Sequence, residues 1–202
     1  MKVLVIGATG TIGKAIVQAL DGRHDVVAAS RRSTPLTVDI GDKASIAALF
    51  RATGRVDAVV CAAGVARFRP LVNLTDEDFD LSIQSKLMGQ ANVVRAGLDA
   101  VTDRGSFTLT SGILSRRPAP GSAAVSTVNA GIEAFARAAS LEMPRGVRLN
   151  VVSPGWVKET LEALHMDPAH GTPAVIVAGA YLRCIEGSST GQIIEVAGED
   201  RR

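Results

Sequence analysis

Two short segments near the start of the chain carry residue types and spacings that could do chemistry. "GATGTIG" sets Gly7, Gly10 and Gly13 three residues apart, directly after an apolar, β-branched run and directly before a helical stripe. The first glycine permits a tight turn, the second lets the backbone approach a pyrophosphate, and the third lets helix and strand pack closely. Free N–H groups at the start of the following helix, and the positive end of its dipole, then face the phosphates. Gly7, Thr9, Gly10, Thr11, Ile12 and Gly13 are the predicted contacts on that side, the two threonines through their hydroxyls. Downstream, "AASRRS" places Ser30 where a carboxylate would hold a ribose 2′-hydroxyl, followed by Arg31 and Arg32. A carboxylate would repel an extra phosphate there, whereas two guanidiniums can grip one bidentately. Together the segments predict a dinucleotide site that prefers NADP(H) to NAD(H).

The elements that must position these residues follow from periodicity. Lys2 to Ile6 reads as a buried parallel strand, and Thr11 to Leu20 as a helix with Ile12, Ala15, Ile16, Ala19 and Leu20 on one stripe. Further strands are predicted at Asp25 to Ala29, Leu36 to Val38, Val56 to Val60, Ser106 to Thr110, Val147 to Val152 and Gln192 to Val196. Asp42 is the expected cap of a helix through Phe50. Thr75 and Asp78 open a long helix in capping-box style. Ser122 to Met143 is an alanine-rich helix stopped by Pro144, and Thr172 to Ile185 is helical. Strands alternating with helix-length segments imply right-handed crossovers, and so a doubly wound, parallel α/β sheet of the Rossmann type with helices on both faces. With no linker or repeat, one domain over residues 1–202 is expected.

Composition removes several function classes. Hydrophobic residues make up 47% and charged residues 21%, with a net charge of +2 and scattered Lys and Arg. No basic stripe argues for nucleic acid or a membrane surface, and 3% aromatic content leaves few stacking platforms for single strands. Cys61 and Cys184 give neither a disulfide framework nor metal-ligand spacing, so no metal and a reducing cytoplasmic setting are expected. The expected partner is a small-molecule substrate.

From Met1 to about Thr160 the chain resembles the short-chain dehydrogenase/reductase family. "YLRCIEGSSTGQIIEVAG" resembles that family's last helix and strand. Besides the glycine loop, the resemblance implies that Asp39 and the Ile40 backbone in "TVDI" frame the adenine. "CAAG" resembles the family's Asn-Ala-Ala-Gly, with Cys61 in place of asparagine and Ala62, Ala63 and Gly64 kept. "FTLTSG" would deliver the active-site serine as Ser111, and "SPGWV" would hold the nicotinamide through Pro154, Gly155 and Val157. The family's proton-donating tyrosine and its lysine four residues on align with Val125 and Asn129. Valine cannot donate a proton, and asparagine cannot lower a neighbour's pKa by charge. The chain's one tyrosine, Tyr181, falls on the last helix, where it is expected to pack on the sheet. The family's helix asparagine three residues before a glycine is here Lys86, in "SKLMG", so the amine is expected to reach the site from the neighbouring helix. Relatives pair through the two long helices, which implies a homodimer or homotetramer.

Other candidates are His165 and His170 as acids, Arg67 and Arg69 as anion readers, and Trp156 as a nicotinamide shield. Three readings remain. One is an NADP(H)-dependent oxidoreductase of carbonyls and alcohols that uses Ser111 and Lys86. The second is an NADP(H)-binding sensor without turnover, and the third a non-redox enzyme of the same fold.

Overall fold

A computed structural model describes residues 1–197; Gly198, the last residue of the family-like C-terminal stretch, lies outside them. Seven strands form one parallel sheet: β1 (Lys2–Ile6), β2 (Asp25–Ser30), β3 (Leu36–Thr37), β4 (Val56–Cys61), β5 (Val101–Thr110), β6 (Arg148–Pro154) and β7 (Ile193–Val196). Their order is β3-β2-β1-β4-β5-β6-β7, with Val5 of β1 opposite Ala28 on one side and Val60 on the other. The chain winds outward one way through β2 and β3 and the other way from β4. The crevice above the carboxyl ends of β1 and β4 is therefore the point where strand order reverses, the place where open α/β sheets bind ligands.

Helices cover both faces. α1 (Thr11–Leu20) and α7 (Ala174–Glu186), the latter preceded in the chain by the short α6 (Lys158–Ala163), lie on one side, where Ile16, Leu20, Val177 and Tyr181 join a core with Val3 and Val5. The opposite core holds Leu4, Ile6, Phe107 and Leu149 against α2 (Lys43–Thr53) and the helices between β4 and β6. β1 feeds both cores because successive side chains point to opposite faces of a strand. Val3 to Ile6 are all at most 1% exposed, which is why the sequence shows an unbroken apolar run there.

Local chemistry sets the helix starts. Asp42 caps α2 by accepting the Ala44 N–H at 2.8 Å, and Thr75 and Asp78 form the reciprocal capping box of α3 (Asp76–Ser82). The long helix after Thr75 is not uniform. α3 runs into a π-helical stretch, Ile83–Met88, before α4 (Gly89–Gly97) resumes the tighter winding. π-turns of this kind gather at functional sites. Lys86 lies inside it. The alanine-rich helix α5 (Ala123–Ala139) ends four residues earlier than Pro144 requires, and β5 begins at Val101 rather than Ser106, after a shift in its register with β4.

Candidate active site

The glycine loop behaves as a cradle. Gly7 sits at φ +89°, and a Cβ on it would stand 2.5 Å from the Ala62 carbonyl oxygen. A Cβ on Gly13 would come 2.0 Å from the Gly7 oxygen, so Gly13 serves close helix packing rather than lining the crevice. Gly10 is the N-cap of α1 and supplies no side-chain cap. The first N–H groups of α1 are thereby left for an anion. Gly7, Thr9 and Gly10 line a cleft that continues over Ser30, Arg31, Asp39 and Ile40 to Ala62, Ala63 and Gly64. Thr11 lines the groove on the outer side of the loop.

The turn after β2 is organised from within. Ser30, nearly buried, hydrogen-bonds through its hydroxyl to the Arg32 carbonyl, and its N–H donates to Thr34 Oγ1 at 2.9 Å. Ser30 therefore shapes the loop that displays the guanidiniums. Arg31 and Arg32 are exposed and make no ion pair among the described residues; Arg31 lines the cleft and Arg32 stands outside it.

A second cleft adjoins the first through Ala62, Ala63 and Gly64. Pro154, Gly155 and Val157 form one wall with Ile12, and Lys86, Ser111, Val125 and Asn129 supply others. Four packing features bring Lys86 here. The left-handed Gly64 (φ +127°) lets the helix press against the end of β4, since a Cβ on it would lie 2.9 Å from Lys86 Cα. Gly89 admits Ile40 in the same way. Ser85 and Ser82 accept the N–H groups of Val65 and Arg67, each at 3.0 Å, zipping the loop after β4 onto the helix. Gln90, fully buried, grips Thr110 at both its N–H and its C=O at 2.8 Å and so fixes the end of β5.

Lys86 is half-buried, with its Nζ 3.5 Å from the Ser111 carbonyl oxygen and no carboxylate partner among the described residues. Desolvation lowers its pKa from 10.5 to about 8. Lys86 and Ser111 thus meet across one cavity, although they come from different elements. The Ser111 hydroxyl, however, donates to Glu133 Oε1 at 2.9 Å. The same carboxylate takes Ser115 at 2.8 Å, Ser153 at 3.3 Å and Arg116 at 3.1 Å, and Arg116 also pairs with Glu195 on β7. Glu133 is 3% exposed and joins the ends of β5, β6 and β7 to α5. Sequence reasoning missed it. The available signal was the stripe Val125, Asn129, Glu133, spaced by four, which sets two polar residues on a helix face that must meet the sheet.

Asn129 is 1% exposed, lines the cavity, and has no partner for its Oδ1 among the described residues. An unsatisfied buried acceptor costs stability and awaits a donor from a ligand or a water. Asn129→Leu is therefore expected to leave the ligand-free protein as stable in urea denaturation, or more stable by up to about 1–3 kcal/mol. A clear loss of stability would show the acceptor to be satisfied already.

Several sequence candidates fall elsewhere. Arg67 and Arg69 are committed to Asp78, at 3.5 and 2.9 Å, and do not line the cavity. His165 and His170 are exposed and outside it. Tyr181 is fully buried on the far side of the sheet's end. Thr110 gives its proton to the Cys61 carbonyl, so the Tyr181 hydroxyl donates to Thr110 Oγ1 at 2.7 Å, and burial holds the phenol pKa above its usual value.

A family model for enoyl-(acyl carrier protein) reductases matches residues 7–183, spanning glycine loop, cavity and last helix. The chain belongs to the short-chain dehydrogenase/reductase family. Over 135 residues it is 30% identical to the oxidoreductase UcpA of Escherichia coli K12, covering 63% of this chain and 51% of that protein. The chain thus spans about half the length of these curated relatives. A solved structure, the protein lin1944 from Listeria innocua, is 41% identical with a TM-score of 0.93, over 97% of this chain and 99% of that one. A small-chain dehydrogenase in complex with NADPH is 28% identical with a TM-score of 0.88, over 98% and 97%. On the helix where the family resemblance placed a tyrosine and a lysine, this chain turns Val125 and Asn129 to the cavity.

Proposed function

We propose that the chain is an NADP(H)-dependent oxidoreductase acting on a carbonyl/alcohol pair. The observation that carries this reading is the pair of adjoining clefts along the carboxyl edge of the sheet. One ends at the glycine loop and Arg31; the other contains Lys86, Ser111 and Asn129. A glycine cradle that a Cβ would fill, an open helix N-terminus and an orphan acceptor all suit a dinucleotide with its nicotinamide toward β5 and β6. In this reading Gly7 through Gly13 and the start of α1 hold the pyrophosphate, and Arg31 with Arg32 pairs the 2′-phosphate. Asp39 and Ile40 flank the adenine, Ala62 to Gly64 underlie the middle, and Pro154, Gly155 and Val157 back the nicotinamide.

The bound cofactor supplies or accepts the hydride. The chain's own task is to hold the substrate oxygen and its proton. Lys86 Nζ, as ammonium, donates to that oxygen, and a pKa near neutrality suits such a donor. Ser111 works as an acceptor, because its proton lies toward Glu133; it orients the hydroxyl of an alcohol rather than polarising a carbonyl. A second reading, an NADP(H)-binding sensor without turnover, is favoured by the burial of Tyr181 away from the cavity.

Equilibrium binding of NADPH and NADH, with consumption of NADPH followed on a set of aldehydes, tests both readings. NADPH is expected to bind the more tightly. Arg31→Ala should weaken NADPH by about tenfold and leave NADH nearly unchanged, the worth of one exposed charge-assisted contact. Equal losses for both cofactors would remove the 2′-phosphate assignment. Tight NADPH binding with no consumption on any carbonyl would put the sensor reading first.

A further inference from the structure

Building on the carbonyl/alcohol reading, we infer that the substrate is a neutral molecule with a flat, aromatic body that rests against Trp156 while its oxygen meets Lys86. The cavity is divided by chemistry. Lys86, Ser111 and Asn129, with Thr110 and Thr160, supply its hydrogen-bonding groups, whereas Ile113, Leu114, Val125 and Trp156 supply apolar walls beyond the one that backs the nicotinamide. Lys86 is the one charged residue among all those that line it. With Lys86 engaged by the reacting oxygen, a charged group elsewhere on the substrate has no partner in the lining, and burial of an unpaired charge is strongly disfavoured. Arg67 and Arg69, on the loop after β4, do not alter this, because both face Asp78.

Trp156 marks the mouth. It lines the cavity and stays 38% exposed. Its indole is braced by Phe68, whose ring meets it edge-on with centroids 6.0 Å apart and planes at 61°. Phe68 is itself pinned. A Cβ on Gly121 would lie 3.0 Å from its ring, the neighbouring Arg69 N–H donates to the Gly121 carbonyl at 2.8 Å, and Ser82 holds the Arg67 N–H. A half-exposed phenylalanine held from both sides, set against a half-exposed tryptophan, is a preformed aromatic surface rather than a collapsed one.

Trp156 is the chain's only tryptophan, so its emission reports on this wall directly. The full chain, saturated with NADP+, is titrated with acetophenone and with 4-acetylbenzoate, which differ by one carboxylate. The neutral ketone is expected to quench Trp156 and to bind at least about tenfold more tightly. In turnover, benzaldehyde should exceed both 4-formylbenzoate and glyceraldehyde in kcat/KM by a similar factor. Phe68→Ala should shift Trp156 emission to the red and raise KM for benzaldehyde several-fold with kcat little changed. Equal binding of the two ketones, or a preference for the carboxylate or for glyceraldehyde, overturns the inference. Discrimination by quenching without any consumption of NADPH keeps the pocket assignment and sinks the oxidoreductase reading instead.

Discussion

Replacing Lys86 by methionine is expected to cut carbonyl reduction by about a hundredfold to ten-thousandfold, the usual worth of a general acid, while making the protein more stable. The two effects have one cause. The ammonium is half-buried with no carboxylate to compensate it among the described residues, and desolvation brings its pKa from 10.5 down to about 8. Between those values the unfolded chain binds the proton more tightly than the folded one, so stability rises as pH climbs from about 8 towards 10.5. Below pH 8 the buried charge is a standing cost, of the order of 1–3 kcal/mol after allowing for its partial exposure. Methionine fills a similar volume and removes that cost. Urea denaturation at pH 7 and pH 10 should show Lys86→Met gaining stability at the lower pH and little at the higher. Activity carries the opposite sign. Reduction needs the ammonium, so it should fall as pH rises through about 8, and alcohol oxidation should rise through the same range. An unchanged pH–rate profile in Lys86→Met would remove Lys86 from the chemistry, whatever its effect on stability.

Glu133→Ala is expected to lower stability by about 3–5 kcal/mol. Its carboxylate is the shared acceptor for Ser111, Ser115 and Ser153, and the ion partner of Arg116. Alanine leaves three hydroxyls and a guanidinium without that acceptor at the junction of β5, β6, β7 and α5. Each orphaned buried group then adds its own desolvation cost. Glu133→Gln keeps one oxygen acceptor and the packing, and is expected to lose about 1–3 kcal/mol. Arg116→Ala should cost less still, because that side chain is 36% exposed. Urea or thermal unfolding ranks the three. If Glu133→Ala fell within 1 kcal/mol of the unsubstituted protein, the cluster would be an incidental contact and not the tie that holds Ser111. The Gln variant also tests polarity at the cavity. An amide can donate to Ser111 where the carboxylate only accepted, freeing the serine proton to face a substrate carbonyl.

The order of strands and helices was legible in the sequence because it rests on local signals. The glycine spacing, the Asp42 cap, the Thr75–Asp78 box and the unbroken apolar run of β1 act over a few residues, and each was found where periodicity placed it. The exact ends were less legible. α5 stops at Ala139 and β5 starts at Val101, since terminal turns and strand register answer to neighbours rather than to the segment's own composition. The anion-reading role weighed for Arg67 and Arg69 failed for a related reason. Asp78 looked like a helix-capping residue alone, but it also lies within reach of both guanidiniums once the loop folds onto α3.

By itself, then, the sequence determined a doubly wound parallel sheet, a glycine-rich strand-to-helix loop and a basic turn after β2. These depend on backbone conformation and on residues adjacent in the chain. Only the tertiary structure decided how the residues of the second cleft stand to one another and to Glu133. Lys86 reaches it because a π-turn and the close approach of Gly64 bring one helix onto the end of β4. Ser111 faces Glu133 across 22 residues of chain, and Asn129 is left with an unfilled acceptor beside them. Hydrogen bonds and desolvation act over a few ångströms in space, whatever the separation along the chain. Their outcome is therefore fixed by packing, which no local pattern records.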